Sequence, residues 1–467
     1  MNHSNSPGSR SRWPWVVGAA CWVILLILLL LRRGDDSATR LAESASSPTP
    51  AVGANSSEIG DSLLRRAAKG KGALTAEEIV ASKVKQFARS RREFVRLLAR
   101  RANKEVPSEV ERFFDALEAG NWDEVERLFK GFANRSGQYE GGTHSPDLDE
   151  VWPAILDAYG AAEQAHDWPA QKLLDYGNSI LDSLRPGMVY VGGTDPGRWI
   201  PALLNDTGEG ERHIALTQNA LADKRYLDYM EFLYGDRFST LTHADSERAF
   251  ADYLADAQKR LEHDRQFPDE PKQLRPGEDV RVVDGKVQVS GQVSVMDINE
   301  RLFRMILEKN PGLSFAMEES FPFPSVLADA SPLGPIMEVG TTTEQNALSP
   351  EQAASTVDYW RDTTRQLMGD PDSLASDEVR KSYSKLLSSQ AGLFVQRNHP
   401  AEAEQLFRLA AEVCPYSPEA VFRYINLLIG QNRINEAFPV AQNALRAEPN
   451  NQQFRDLLGE LNRQAGN

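Results

Sequence analysis

Hydrophobic residues follow four rhythms along the chain, and each predicts a different element. The first is unbroken. From Trp13 to Leu31 no charged residue interrupts an apolar run that ends in Leu28-Leu29-Leu30-Leu31 before Arg32-Arg33. At 1.5 Å per residue a helix of that length spans about 28 Å, close to a bilayer core. Two arginines and two aspartates follow, rather than a small-residue cleavage site, so the run predicts an uncleaved anchor. Trp13 and Trp15 suit the membrane interface.

The second rhythm is helical. Thr75 and Glu78 form a T-x-x-E capping box, and Val80, Val84, Phe87, Phe94 and Leu98 recur near helical spacing. The spacing then predicts helices over 108–119 and 122–132, broken at Gly120-Asn121, and over 151–166 and 169–184. The third rhythm is short. Apolar runs at 188–191, 214–216, 313–317 and 335–339 alternate with helical stretches. That alternation predicts an α/β domain with a mostly parallel sheet. Val280, Val282, Val287 and Val289 alternate around Asp284-Gly285, which predicts an inserted β-hairpin.

The fourth rhythm has a period of 34. Ala403 matches Ala437, Phe407 falls opposite Ala441, Ala410 matches Ala444, and Pro415 matches Pro449. Small residues let paired helices approach closely, and each proline ends a second helix. The pattern resembles the tetratricopeptide repeat over 384–451. Such repeats form α-solenoids whose concave surfaces hold peptides or helices, which predicts a protein partner there.

Together these rhythms divide the chain into a tail (1–12), a transmembrane helix (13–31), a flexible linker (32–74) and a basic amphipathic helix (75–104). Helical hairpins (105–186) follow, then the α/β domain (187–348, hairpin 279–291) and a helical region (349–467).

Composition sharpens this. With 41% apolar and 25% charged residues the chain can bury a sizeable core, which excludes global disorder. The two cysteines, Cys21 and Cys414, cannot staple a small secreted fold. A net charge of -15 argues against nucleic-acid binding. Charge is uneven, however. Residues 65–104 hold 13 basic and 3 acidic side chains, a net of +10, so the remainder carries -25. Two readings follow: the basic helix lies on anionic lipid, or its charges meet the acidic body of the same chain.

Candidate chemistry is sparse. The sequence holds no H-E-x-x-H, C-x-x-C or G-x-S-x-G motif, and nothing in it calls for a metal or cofactor. In an α/β sheet, ligands bind beyond the carboxyl ends of the strands. Thr194, Asp195, Arg198, Gln218, Asn219, Glu318 and Glu319 all follow predicted strands there. A helix start after Gly192-Gly193 can also receive an anion. The same Asp-Pro-Gly reads equally as a tight turn, with Asp195 and Arg198 paired to each other. Asp147-Leu148-Asp149 matches the D-x-D of metal-dependent sugar transferases, but it precedes a helix, so N-capping accounts for it better.

GGTDPGRW, ALTQNALAD and YLDYMEFLYGD, between Met188 and Arg237, are similar to segments of a group of uncharacterised bacterial membrane-anchored repeat proteins. The same stretch more distantly resembles the soluble domain of polytopic glycosyltransferase-like proteins of the O-mannosyltransferase type. The resemblance implies an extracytoplasmic body. It does not carry over transferase activity, because catalysis there belongs to the multi-pass portion and this chain has one predicted span. The sequence therefore predicts a single-pass membrane scaffold of the cell envelope, periplasmic in its body and without catalysis of its own. The alternative is a sugar- or nucleotide-binding domain at the strand ends.

Overall fold

The computed structural model describes residues 74–134, 146–193, 195–275, 277–283, 286–319, 323–340 and 348–465. The predicted anchor at 13–31 and nearly all of the linker lie outside them. Among the described residues no helix is long and apolar enough to cross a membrane.

The first long helix, α1 (Ala76–Arg101), starts where its capping box dictates. The Thr75 hydroxyl accepts the Glu78 N–H at 3.3 Å, and the Glu78 carboxylate accepts the Thr75 N–H at 3.0 Å. Val80, Phe87, Val95 and Leu98 bury one stripe of α1 against the following helices. Of these, α2 (Ser108–Ala119), α4 (Trp152–Asp167) and α5 (Ala170–Leu181) meet α1 directly, while α3 (Trp122–Asn134) packs on α2 and α4. The basic side chains of α1 pair within the chain. Arg92 meets Glu111 at 2.6 Å and Asp115 at 2.9 Å, Arg96 meets Glu111 at 2.9 Å, and Arg89 meets Glu118 at 2.8 Å. Glu111, Asp115 and Glu118 all belong to α2, so these three arginines spend their charge on the neighbouring helix.

The central region follows. Strand β1 (Val189–Gly192) leads to α6 (Asp195–Thr207), β2 (Ile214–Thr217) and α7 (Lys224–Tyr234). An arm is then formed by α8 (His243–Gln266), the hairpin β3 (Asp279–Val283) and β4 (Lys286–Ser290), and α9 (Gln292–Lys309). In the hairpin Val280 faces Val289 and Val282 faces Val287. Val289 packs on the helices, whereas Val282 stays exposed. The chain returns through β5 (Phe315–Met317), α10 (Pro324–Leu327), β6 (Ala330–Leu333) and β7 (Ile336–Val339).

Here the expected fold class is corrected. Helices hold 69% of the described residues, so the protein is mainly helical rather than an α/β domain with helical flanks. The sheet is small and mixed, in the order β2-β1-β5-β7-β6. β1 pairs in parallel with β2 and β5, but β7 runs antiparallel to both β5 and β6. The reason is the length of the connections. Helices carry the chain from β1 to β2 and on to β5, the two strands that flank β1 in parallel, whereas β6 and β7 are joined by only Gly334-Pro335. Gly334 adopts φ +54° beside the Ser183 side chain, where a Cβ would collide. β6 itself, Ala-Ser-Pro-Leu, is too short and too polar to stand out as a strand.

The C-terminal helices are α11 (Pro350–Met368), α12 (Pro371–Ala375), α13 (Asp377–Gln396), α14 (Pro400–Val413), α15 (Pro418–Gly430), α16 (Ile434–Ala447) and α17 (Gln452–Ala465). Ala403, Phe407 and Ala410 on α14, and Ala437, Ala441 and Ala444 on α16, are buried at helix contacts. Pro415 and Pro449 lie just beyond those two helices. Asn398 (φ 61°) and Asn432 (φ 58°), also 34 residues apart, end α13 and α15 in the left-handed region. The N–H after each bonds back to a helix carbonyl at 2.8 Å, His399 to Phe394 and Arg433 to Leu428. These helices sit on the sheet. The Gln390 amide donates to the carbonyls of Gly334 at 2.8 Å and Ile336 at 2.7 Å, and accepts from Trp360 Nε1 at 2.7 Å.

Candidate functional site

The strand ends are assembled around one glycine pair. A Cβ on Gly192 would lie 2.4 Å from the Gly197 carbonyl, so only glycine lets β1 run this close to the first turn of α6. The buried Tyr190 hydroxyl donates to that same carbonyl. Beyond Gly192, the Gly193 N–H donates to Glu318 Oε2 at 2.7 Å, and the Gly193 carbonyl accepts from Asn219 Nδ2 at 2.9 Å. The place the sequence offers to an anion is thus taken by the chain's own carboxylate. Gln218 is fully buried beside it, and Thr194 lies outside the described residues.

Asp195 opens α6. Burial raises its carboxyl above the usual range, and Arg198 and Lys385 only partly offset this. Arg198 directs its hydrogen bond to Asp157 instead, at 3.2 Å, with its guanidinium over the rings of Trp199 and Tyr226. Arg198 thus makes its ion pair with Asp157, while its charge still acts on Asp195 three positions earlier in α6.

The C-terminal helices close over the strand ends. Arg423 of α15 bonds to Glu319 Oε1 and, at 3.3 Å, to the Ser388 carbonyl of α13. The Glu319 side chain is fully buried, and its second oxygen has no partner. Lys385 stands 3.8 Å from Glu419 over the same ends. Neither Arg423 nor Lys385 was legible as a site residue, because both belong to helices some hundred positions downstream.

A second polar centre lies along the outer edge of β2. Arg91 of α1, only 3% exposed, bonds through Nη2 to Asp206 of α6 at 2.7 Å, and its Nε stands 3.5 Å from Asp157 of α4. The second distance is an ion pair too long to be a hydrogen bond. Burial lowers the Arg91 pKa, but Tyr229, Asp206 and Asp157 outweigh it, so the guanidinium stays charged. Two tyrosines of α7 cover the strand. Tyr226 accepts the Thr217 N–H at 2.7 Å and Tyr234 accepts the Ala215 N–H at 3.5 Å. These hydroxyls satisfy backbone groups that an edge strand would otherwise expose. The signal in the sequence is one basic residue in the apolar stripe Phe87, Arg91, Val95.

Asp147-Leu148-Asp149 forms neither a metal site nor a helix cap. It lies in and just after a 3₁₀ turn (Pro146–Leu148) ahead of α4, whose N-cap is Val151, and Asp149 pairs with Arg225 at 3.1 Å. Among the described residues no group of three or more His, Cys, Asp or Glu side chains is placed to hold a metal ion. Compared with known proteins, the chain matches no family model, no curated protein and no solved structure.

Proposed function

We propose that this protein is a membrane-tethered, non-catalytic interaction protein of the cell envelope. The observation that carries the reading is the internal use of the strand ends. Glu318 and Asn219 hold Gly193, and Glu319 holds Arg423, so groups a transferase would turn toward a substrate bind the chain itself. The apolar run at 13–31 supplies the tether, and the resemblance of the 188–237 segments favours an extracytoplasmic body. The C-terminal helices supply the interaction surface, with Tyr359, Leu374 and Val395 exposed on them. Exposed apolar side chains act as interface anchors where they form one patch, which is what the variants below test.

The test uses the full chain in detergent, cross-linked in its own membranes, against the variants Tyr359→Ala and Val395→Glu. A partner that co-purifies with the native chain, binds it directly once purified, and is lost from the variants supports the proposal. Identical recovery from native and variant chains, or no direct binding, would sink it.

One observation favours a second reading, a neutral polyhydroxylated ligand at the strand ends. Glu319 keeps a buried oxygen without a partner, and carboxylates accept sugar hydroxyls well. Glu318 already fills the phosphate position, so this reading expects a thermal shift with free sugars and none with nucleotides. A shift with nucleotides alone would exclude it.

A further inference from the structure

We infer that the free edge of β3 is a homodimer interface, at which two copies of this chain pair their β3 strands antiparallel about a twofold axis. Among the described residues β3 and β4 form a sheet of only two strands, which by itself is marginally stable in water. The base of the hairpin is held, because Val289 is buried and Val280 and Val287 are half-buried against the core. The tip is not. Val282 and Val283 point to opposite faces of the strand, and both stay exposed. Edge strands are normally guarded by lysine, proline, a bulge or a covering element. β3, Asp-Val-Arg-Val-Val, contains neither lysine nor proline, and its register with β4 runs from Asp279 to Val283 without a bulge.

The two charges of the strand decide what fits this edge. Asp279 and Arg281 share the outer face, paired with each other at 2.7 Å, and the Arg281 side chain is largely exposed. When Val280 meets the second copy's Val280, Asp279 falls opposite the second copy's Arg281, and Arg281 opposite the second copy's Asp279. Symmetry thus supplies two cross-strand ion pairs at once. On the inner face Val282 lies diagonal to the second copy's Val280, so the valine row of one hairpin continues into the other. Slipping by one pair sets Arg281 against Arg281 in one direction and Asp279 against Asp279 in the other. Slipping by a single residue sets valines against charges. The edge is therefore complementary to itself in one register. This surface belongs to the arm and not to the C-terminal helices, so its test is separate from theirs.

The experiment is amide exchange on the full chain in neutral detergent, at two chain concentrations about a hundredfold apart, with the mass followed by light scattering corrected for bound detergent. The outward N–H groups of 279–283 should exchange about tenfold more slowly at the higher concentration, as the mass rises from one chain to two. Asp279→Arg and Arg281→Asp each set like charges opposite one another in the dimer, and each should abolish both effects. An equimolar mixture of the two variants should restore them, because one strand then carries only arginine and the other only aspartate. Neither chain in that mixture regains the pair within its own strand, so the recovery cannot come from repair of the monomer. Exchange over 279–283 that ignores concentration would overturn the inference, whether the edge stays open or is covered within one chain. So would a dimer that leaves those amides unprotected, or a mixture that stays monomeric.

Discussion

Glu278 and Arg91 are both buried charges, in the arm and beside the sheet respectively, but they are paired to different degrees. The Glu278 side chain has no exposure, and every lone pair it presents is used. Arg260 grips both oxygens, Tyr253 donates its hydroxyl, and Arg275 adds its N–H at 3.0 Å and a guanidinium contact at 3.3 Å. Arg91 makes one hydrogen bond and leaves two nitrogens without one. A closed network fixes a structure, here the α8–hairpin–α9 arm. An open one leaves buried donors unmatched and stabilises the fold less. The contrast also separates two kinds of burial. Glu278 is enclosed by an element whose ends are tied to each other, and Arg91 by four elements that converge from different parts of the chain.

Three substitutions test that contrast. Glu278→Gln should have the largest effect. It leaves Arg260 with only the half-exposed Asp256, at 3.1 Å, as counter-charge and should destabilise the arm by about 3 kcal/mol, read by urea unfolding and by amide exchange across 243–309. The same pairing predicts a pH dependence. Burial alone would raise the Glu278 pKa, but the bonds from Arg260, Tyr253 and Arg275 outweigh it and hold the carboxyl at about 2. The folded pKa lies below the unfolded one, so this stabilisation is complete above about pH 4.5 and fades as pH falls toward 2. Glu278→Gln should flatten that part of the acid-unfolding curve. If it does not, the arm's network is not what holds it.

Arg91→Met should rank second, at about 2 kcal/mol by urea unfolding. Only one hydrogen bond is lost, and Asp206, 21% exposed, still reaches water. A loss equal to that of Glu278→Gln would show that the two centres do not differ as described. Asp195→Asn should have the smallest effect and the opposite sign. Its carboxyl is raised mainly by burial, so the native state holds its proton more tightly and loses stability as pH climbs past the usual aspartate range. Removing the charge should stabilise the chain at neutral pH by at most about 1 kcal/mol. Destabilisation instead would mean that Asp195 holds Arg198 or Lys385 in place.

How much of this was legible depends on the range of each interaction. The capping box of Thr75 and Glu78 closes within four residues, and the Val280–Val289 register follows from a two-residue turn. Both can be read directly. The candidate residues Asp195, Gln218, Asn219, Glu318 and Glu319 were placed by their position after apolar runs, and the fold does bring Glu318 and Asn219 to one peptide. Their use was not legible, because it depends on Arg423 and Lys385 arriving from distant helices. The parallel sheet failed for a related reason. A four-residue apolar run fixes that a strand exists, not its direction, and the short Gly334-Pro335 turn decided the latter for β6 and β7.

The sequence by itself determined the local elements: where helices begin and end, which faces are apolar, and the 34-residue repeat of Ala403, Ala410 and Pro415. These follow from backbone geometry and spacing, which act over a few residues. Only the tertiary structure decided the order of the sheet, the pairing of α1's basic residues with α2, and the meeting of Arg91, Asp157 and Asp206. A side chain's partner across space is set by how whole elements pack, and no periodicity in the chain encodes that distance.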